Sequence, residues 1–249
     1  MDKMDLWKKA ISIRKKFGED ATSPIDIFTL AYSIDYLSIV YYPMGEHLSG
    51  MCIKNNETNV IAINSSMTLG RQRFSMAHEL YHLFFDEQLT AICAKRIGAG
   101  SDREIKADQF ASYLLMPPDA LSDMIKQIKK TSSARLSVRD VVRIEQHFQI
   151  SRQAVLYRLI GDDELTLQEA EPMRKNVILS AVNLGYNDAL YNPTPKEKQY
   201  GTYGYYIKQA DNAKEQGLIS SGKYEELLLS AYRPDLVYGD EAEEGEVLD

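Results

Sequence analysis

Two histidines four residues apart, with a glutamate beside the first, are the residues of this 249-residue chain best suited to chemistry: His78-Glu79-Leu80-Tyr81-His82. On a helix, positions four apart lie one turn above each other, so both imidazoles can reach one cation. Glu79 is rotated by about 100° from His78. That sets it beside such a cation, where it can act on a water instead of becoming a ligand. A divalent metal held this way polarises a carbonyl and acidifies a water, which is the equipment of a zinc-dependent peptidase. The surrounding helix strengthens the reading. Phe74, Ala77, Tyr81 and Phe84 make one apolar stripe, and Met76, Leu80 and Leu83 cover much of the rest. Such a helix is buried, and buried imidazoles and carboxylates are costly unless something satisfies them. Two of the chain's four histidines fall in this motif.

A catalytic zinc takes three protein ligands. The pattern that continues H-x-x-G-x-x-H is excluded, because Phe85 holds its glycine position and Gln88 its last histidine position. The other common arrangement draws a glutamate from a second helix, and Glu104, in the segment Ser101 to Met116, is the best candidate. That segment has helical periodicity through Ile105, Phe110, Ala111, Leu114 and Leu115, and Pro117-Pro118 ends it. Asp108 lies one turn further on the same face, where its carboxylate can accept the free ring N–H of a ligand histidine. Ser101-x-x-Glu104 is also a capping box that needs no metal. Asp86, Glu87, His47 and Asp108 itself stand as fallback ligands.

Together, His78-Glu79-Leu80-Tyr81-His82 and the later Glu104, Ala107, Asp108, Phe110, Ala111, Leu114, Leu115, Met116 and Pro117 resemble the ImmA/IrrE family of metallopeptidases. The resemblance implies that His78, His82 and Glu104 bind the metal and that Glu79 is the general base. Asparagine is the more frequent residue in that family where this chain has Asp108, which keeps a hydrogen-bonding role open but changes its charge. The motifs cover roughly residues 70 to 118.

The elements that must position these groups are legible in outline. Leu6 to Phe17 and Pro24 to Ile34 are expected helices, with Pro24 near the N-terminus of the second. Extended runs at Ser38 to Tyr42, Ser49 to Lys54 and Val60 to Asn64 are separated by Pro43, Gly45 and Asn55-Asn56. They predict a small antiparallel sheet, to whose edge an extended peptide could add as a strand. The expected class is α+β: a mainly helical, zincin-like peptidase domain at 1–125, a helix-turn-helix-like module at 126–165, and a helical region at 166–249. Within the last, Asn176 to Leu190, Tyr205 to Gln216 and Tyr224 to Tyr232 have helical character. Tyr200 to Tyr206 is tyrosine-rich, with packing as its default role and a recognition surface as the alternative. Asp240 to Asp249 is acidic and reads as disordered.

Hydrophobic residues make up 44% of the chain, enough for a core. No apolar run is long enough to span a bilayer, and the N-terminus lacks the apolar core of a signal peptide. Cys52 and Cys93 are too few for a disulfide framework and lack metal-binding spacing, so they read as reduced thiols in a cytoplasmic protein. The net charge of -7 argues against a protein that coats nucleic acid. Locally the balance reverses. From Lys126 to Ile160, Lys126, Lys129, Lys130, Arg135, Arg139, Arg143, Arg152 and Arg158 face only Asp140 and Glu145. Val138 to Phe148 and Ser151 to Leu159 read as two helices with a tight turn, Ser151 capping the second. Gln149 where such turns often have glycine, and Glu145 where they often have alanine, favour packing or partner binding over specific DNA contact.

The leading expectation is a cytoplasmic zinc endopeptidase, with manganese as the alternative metal and Tyr113 or His47 as a donor to the oxyanion. The family resemblance implies a protein substrate: a DNA-binding, helix-turn-helix repressor of a mobile element, prophage or stress response. Two other classes compete. One is a DNA-binding regulator acting through Val138 to Ile160, its metal site structural. The other is a toxin- or antitoxin-like protein that sequesters a partner without cutting it.

Overall fold

A computed structural model describes residues 3–55, 57–87, 90–94, 96–129 and 135–239. The three short runs form β1 (Leu37–Tyr42), β2 (Leu48–Lys54) and β3 (Asn59–Asn64), with Ile39, Val40, Tyr41 and Tyr42 favouring extension in the first and Val60, Ile61 and Ile63 in the third. Two further strands, β4 (Thr90–Ala94) and β5 (Gly201–Gly204), complete a five-stranded sheet of order β4-β2-β3-β1-β5. The sheet is mixed, which corrects the expectation of a purely antiparallel one. β3 lies between β1 and β2, antiparallel to β2 but parallel to β1. Asn64 gives the physical reason. It is 1% exposed, and its amide donates to the carbonyls of Met44 (2.7 Å), Gly45 (3.2 Å) and Leu48 (2.7 Å). The end of β3 is thereby tied to the segment joining β1 and β2, which passes over it instead of closing a hairpin.

The first helices are α1 (Lys3–Lys16) and α2 (Ile27–Tyr32). α2 starts later than Pro24 suggests, because Asp26 caps it by accepting from Phe28 N at 3.2 Å. α3 (Leu69–Phe85) crosses β2 and β3, α4 (Asp102–Leu115) packs along α3, and α1 packs on α4. Arg14, 1% exposed, locks α1 in place. Its Nε donates to Leu114 O, and its Nη1 to the carbonyls of Asp20 and Ser23, each at 2.9 Å.

After α5 (Pro118–Ile128) come α6 (Val138–Phe148) and α7 (Arg152–Gly161), the expected helix pair. Gln149 takes the left-handed conformation at the turn, φ 55°, a position that glycine fills without strain. The pair packs on the helices before it: Ile144, Phe148, Leu156 and Leu159 share one buried cluster with Phe74, Leu80, Phe110 and Leu114. Arg158 joins the two parts, its Nη1 donating to Met116 O at 2.9 Å while its guanidinium covers the Tyr113 ring. Two arginines of the basic stretch are therefore internal, Arg152 at 4% and Arg158 at 2% exposure, as packing rather than DNA contact requires. Arg152 pairs with Glu145 and also donates to Met173 O (2.7 Å) and Ser180 Oγ (2.8 Å), while Tyr191 OH donates to Glu145 at 2.7 Å.

The remainder comprises α8 (Leu167–Ala170), α9 (Val177–Val182), α10 (Tyr205–Glu215), α11 (Ser221–Ser230) and α12 (Asp235–Tyr238). The helix expected over Asn176 to Leu190 is broken after Val182. Gly185 turns the chain at φ +86°, and Leu190 and Tyr191 fold back to bury against Val142 and Ala181. The tyrosine-rich segment supplies β5, with Tyr203 stacked on Tyr32 and edge-on to Tyr41. The acidic stretch 240–249 lies outside the described residues.

Removing one partner of a buried ion pair strands the other charge. Arg152→Ala should therefore cost about 3–5 kcal/mol in urea unfolding, whereas Arg143→Ala, on the exposed face of α6, should stay within about 0.5 kcal/mol. A loss below 1 kcal/mol (about the value of an exposed pair) for Arg152→Ala would show that the network does not hold the helix pair.

Candidate metal centre

α3 is enclosed from Phe74 to His82, as its all-round apolar composition requires. Its sheet side presents Glu79, 0% exposed, to β2. Gly50 of β2 makes room for it: a Cβ there would stand 2.6 Å from Glu79 Oε1. His78 and His82 reach the first turn of α4. There Ser101 Oγ accepts from Glu104 N at 3.4 Å, but the Glu104 carboxylate does not turn back to complete a capping box. Its Oε2 lies 3.2 Å from His78 Nε2, and its Oε1 3.5 Å from His82 Nε2.

Both rings are oriented from behind. His78 Nδ1 is 2.8 Å from Asp108 Oδ1, and His82 Nδ1 is 2.9 Å from Asp86 Oδ2. Asp108 is itself held, its Oδ2 accepting from Gly98 N at 2.6 Å. An ionised carboxylate only accepts, so each Nδ1 carries a proton. With neutral rings, two Nε2 lone pairs would face each other across the observed 3.2 Å. Glu104 Oε1 and Glu79 Oε1 are also buried without a hydrogen-bond partner among the described residues. Converging lone pairs and orphaned carboxylate oxygens fit a divalent cation.

The fourth group at this point is Cys93 of β4. Ligand atoms of His78, His82, Cys93 and Glu104 all lie within 4.8 Å of one another, and Cys93 Sγ donates to Glu79 Oε2 at 3.3 Å. Sequence spacing gave no sign of Cys93, because only the pairing of β4 with β2 brings it to the site. The orienting role of Asp86 was equally unmarked; sequence offered it only as a substitute ligand. Other expected groups stay outside the cluster. His47 is exposed in the turn before β2, and Glu87 is exposed. Tyr113 is nine residues beyond Glu104 on α4, on the opposite face and roughly 13 Å further along the axis, under Arg158.

Electrostatics follow from this packing. Burial lowers His78, but its hydrogen bonds to Asp108 and Glu104 outweigh it and raise the ring to about 9. A proton on His78 then stands in for the cation. Burial, with the neighbouring charge of His78, lowers His82. Burial raises Glu79 to about 7, opposed by His78. Beside the N-terminal half of α3 lies a cavity of about 750 Å³, lined in part by Met67, Arg71, Leu156 and Ile178. Arg71 is two turns before His78 on the same helix face, and its Nε and Nη1 are buried without hydrogen-bond partners among the described residues.

Residues 36–160 match the model of a family described as the IrrE N-terminal-like domain, Peptidase_M78. The match runs from β1 through α7, so it includes the whole cluster and the helix pair. The chain is also similar to the radiation response metalloprotease IrrE of Deinococcus deserti, with 26% identity over 139 residues. That alignment takes in 54% of this chain and 46% of the relative, so the chain spans about half the length of the curated protein it matches.

A carboxyl whose folded pKa is raised binds more protons folded than unfolded, so its stabilising contribution is full below the unfolded value and lost as pH rises through the folded one. For Glu79 the window runs from 4.5 to about 7. Chelator-treated Glu79→Gln should gain stability over wild type across that window, by up to about 3 kcal/mol. Thermal unfolding at several pH values checks this, and a pH-independent difference would contradict it.

Proposed function

Because the chain belongs to the IrrE N-terminal-like peptidase family, we propose that it is a zinc endopeptidase that cuts a protein partner. The observation that carries this reading is the convergence of His78, His82 and Glu104, with Glu79 held beside them by the Gly50 gap. His78, His82 and Glu104 are the ligands, and manganese is the alternative metal. When bound, the cation polarises the scissile carbonyl and acidifies the attacking water. Glu79 accepts the proton as that water attacks and returns it to the leaving amine. Asp108 and Asp86 hold the two rings in the tautomer that directs Nε2 inward.

The proposed substrate is a DNA-binding repressor of the helix-turn-helix class, cut at an exposed linker in the cytoplasm. Support comes from the family and from the match to a radiation response metalloprotease. The burial of Arg152 and Arg158 weighs against a regulator that grips DNA with those two side chains. The cavity beside α3 has room for a polypeptide segment beyond the cluster, and Arg71, which lines it, suits an acidic substrate side chain there.

Glu79→Gln should bind metal stoichiometrically and cut a candidate repressor at least about a hundredfold more slowly, the scale on which a general base acts. Cleavage by that variant at the wild-type rate, read on gels with and without chelator, would remove Glu79 from the mechanism. Arg71→Met should raise KM for a peptide with an acidic residue more than it lowers kcat. Equal effects on acidic and neutral peptides would show that Arg71 does not read the substrate.

A further inference from the structure

We propose that Cys93 is a fourth protein ligand of the cation, so that the resting chain holds its metal in a closed coordination shell. The inference rests on the metal-site reading above and extends it to regulation of the same site. Zinc bound by four protein groups is structural in character, whereas a catalytic site keeps one position for water. The cluster offers four donors: two imidazoles, one carboxylate and one thiol, mutually within 4.8 Å. Sulfur is a preferred donor for zinc, so a thiol at this distance competes effectively with water.

Its placement is not that of a core cysteine chosen for packing alone. Cys93 is fully buried, and its thiol points at the polar cluster, donating to Glu79 Oε2. Cys52, the other cysteine, is also buried but does not join the ligand group among the described residues. When sulfur binds the cation its proton must leave, and Glu79 Oε2, 3.3 Å away, is the adjacent acceptor. One movement then withholds both the water's position and the base. On release the sulfur takes that proton back from Glu79, and the position and the base are freed together.

Cobalt(II) tests this without relying on activity. The full chain, freed of metal and reloaded with one equivalent of Co2+, should show a near-ultraviolet sulfur-to-cobalt charge-transfer band. Cys93→Ser should lose the band and still bind Co2+, and Cys52→Ser should keep it. Metal should also protect one thiol of the wild type from alkylation, and that thiol should be Cys93 by mass spectrometry. Cobalt bound without a sulfur band would overturn the role of Cys93 and leave the peptidase reading intact. A wild-type chain that binds no cobalt would overturn both.

Discussion

Two imidazole nitrogens pressed together inside the protein, with carboxylates behind and beside them, set the terms for the rest of this structure. His78 Nε2 and His82 Nε2 stand 3.2 Å apart at 6% and 1% exposure. Water cannot dilute that repulsion, so positive charge must occupy the site, either a proton on His78 or a metal ion. The surroundings are arranged accordingly. α3 must be enclosed to exclude water, α4 must dock along it to deliver Glu104 and Asp108, and β2 must carry glycine opposite Glu79. The buried Arg14 and Arg158 hold both sides of α4 by bonding to carbonyls near its C-terminal end. The position of Glu104 is thus secured by contacts about three turns away from it.

How much of this could be read from the chain follows from how local each feature is. The i, i+4 histidines and the glutamate between them are a property of one helix, so spacing reveals them. Glu104 and Asp108 are likewise one turn apart on one helix. What spacing could not say is whether Glu104 faces its cap or the histidines; docking of α4 on α3 decides it. Cys93 and Gly50 belong to strands whose pairing is set by non-local contacts, and neither residue carries a local signature. The strand runs at 38–42, 49–54 and 60–64 were legible because turn residues bound them and β-branched residues cluster in the first and third. Their order was not, since the insertion of β3 depends on one buried asparagine and three carbonyls. β5 was hidden because a four-residue strand between glycines looks like a loop.

The helix pair illustrates a different failure of local reading. Eight basic residues over 126–160 suggest a positively charged face, yet formal charge carries no information about which way a side chain points. Arg135, Arg139 and Arg143 are exposed, whereas Arg152 and Arg158 satisfy acceptors inside the protein. Glu145, unexpected where helix-turn-helix motifs often carry alanine, is explained by its buried pairing with Arg152. The ion pair takes up space that a small residue would otherwise leave for close helix contact. The departure at Glu145 and the burial of Arg152 are therefore one structural feature.

The four donors differ in how firmly the fold holds them. His78 and His82 sit on a helix enclosed on nearly every side, and their Nδ1 atoms are tied to aspartates. Glu104 is in the first turn of α4, behind a helix docked along α3. Cys93 alone comes from an edge strand, paired on one side with β2 and free of a strand neighbour on the other among the described residues. An edge strand has fewer bonds to break and offers its outer edge to an incoming extended peptide. The donor whose departure would open a position for water is thus also the one on the element that a substrate strand can reach. Contacts that shift β4 would therefore also move the Cys93 sulfur relative to the two histidines and Glu104.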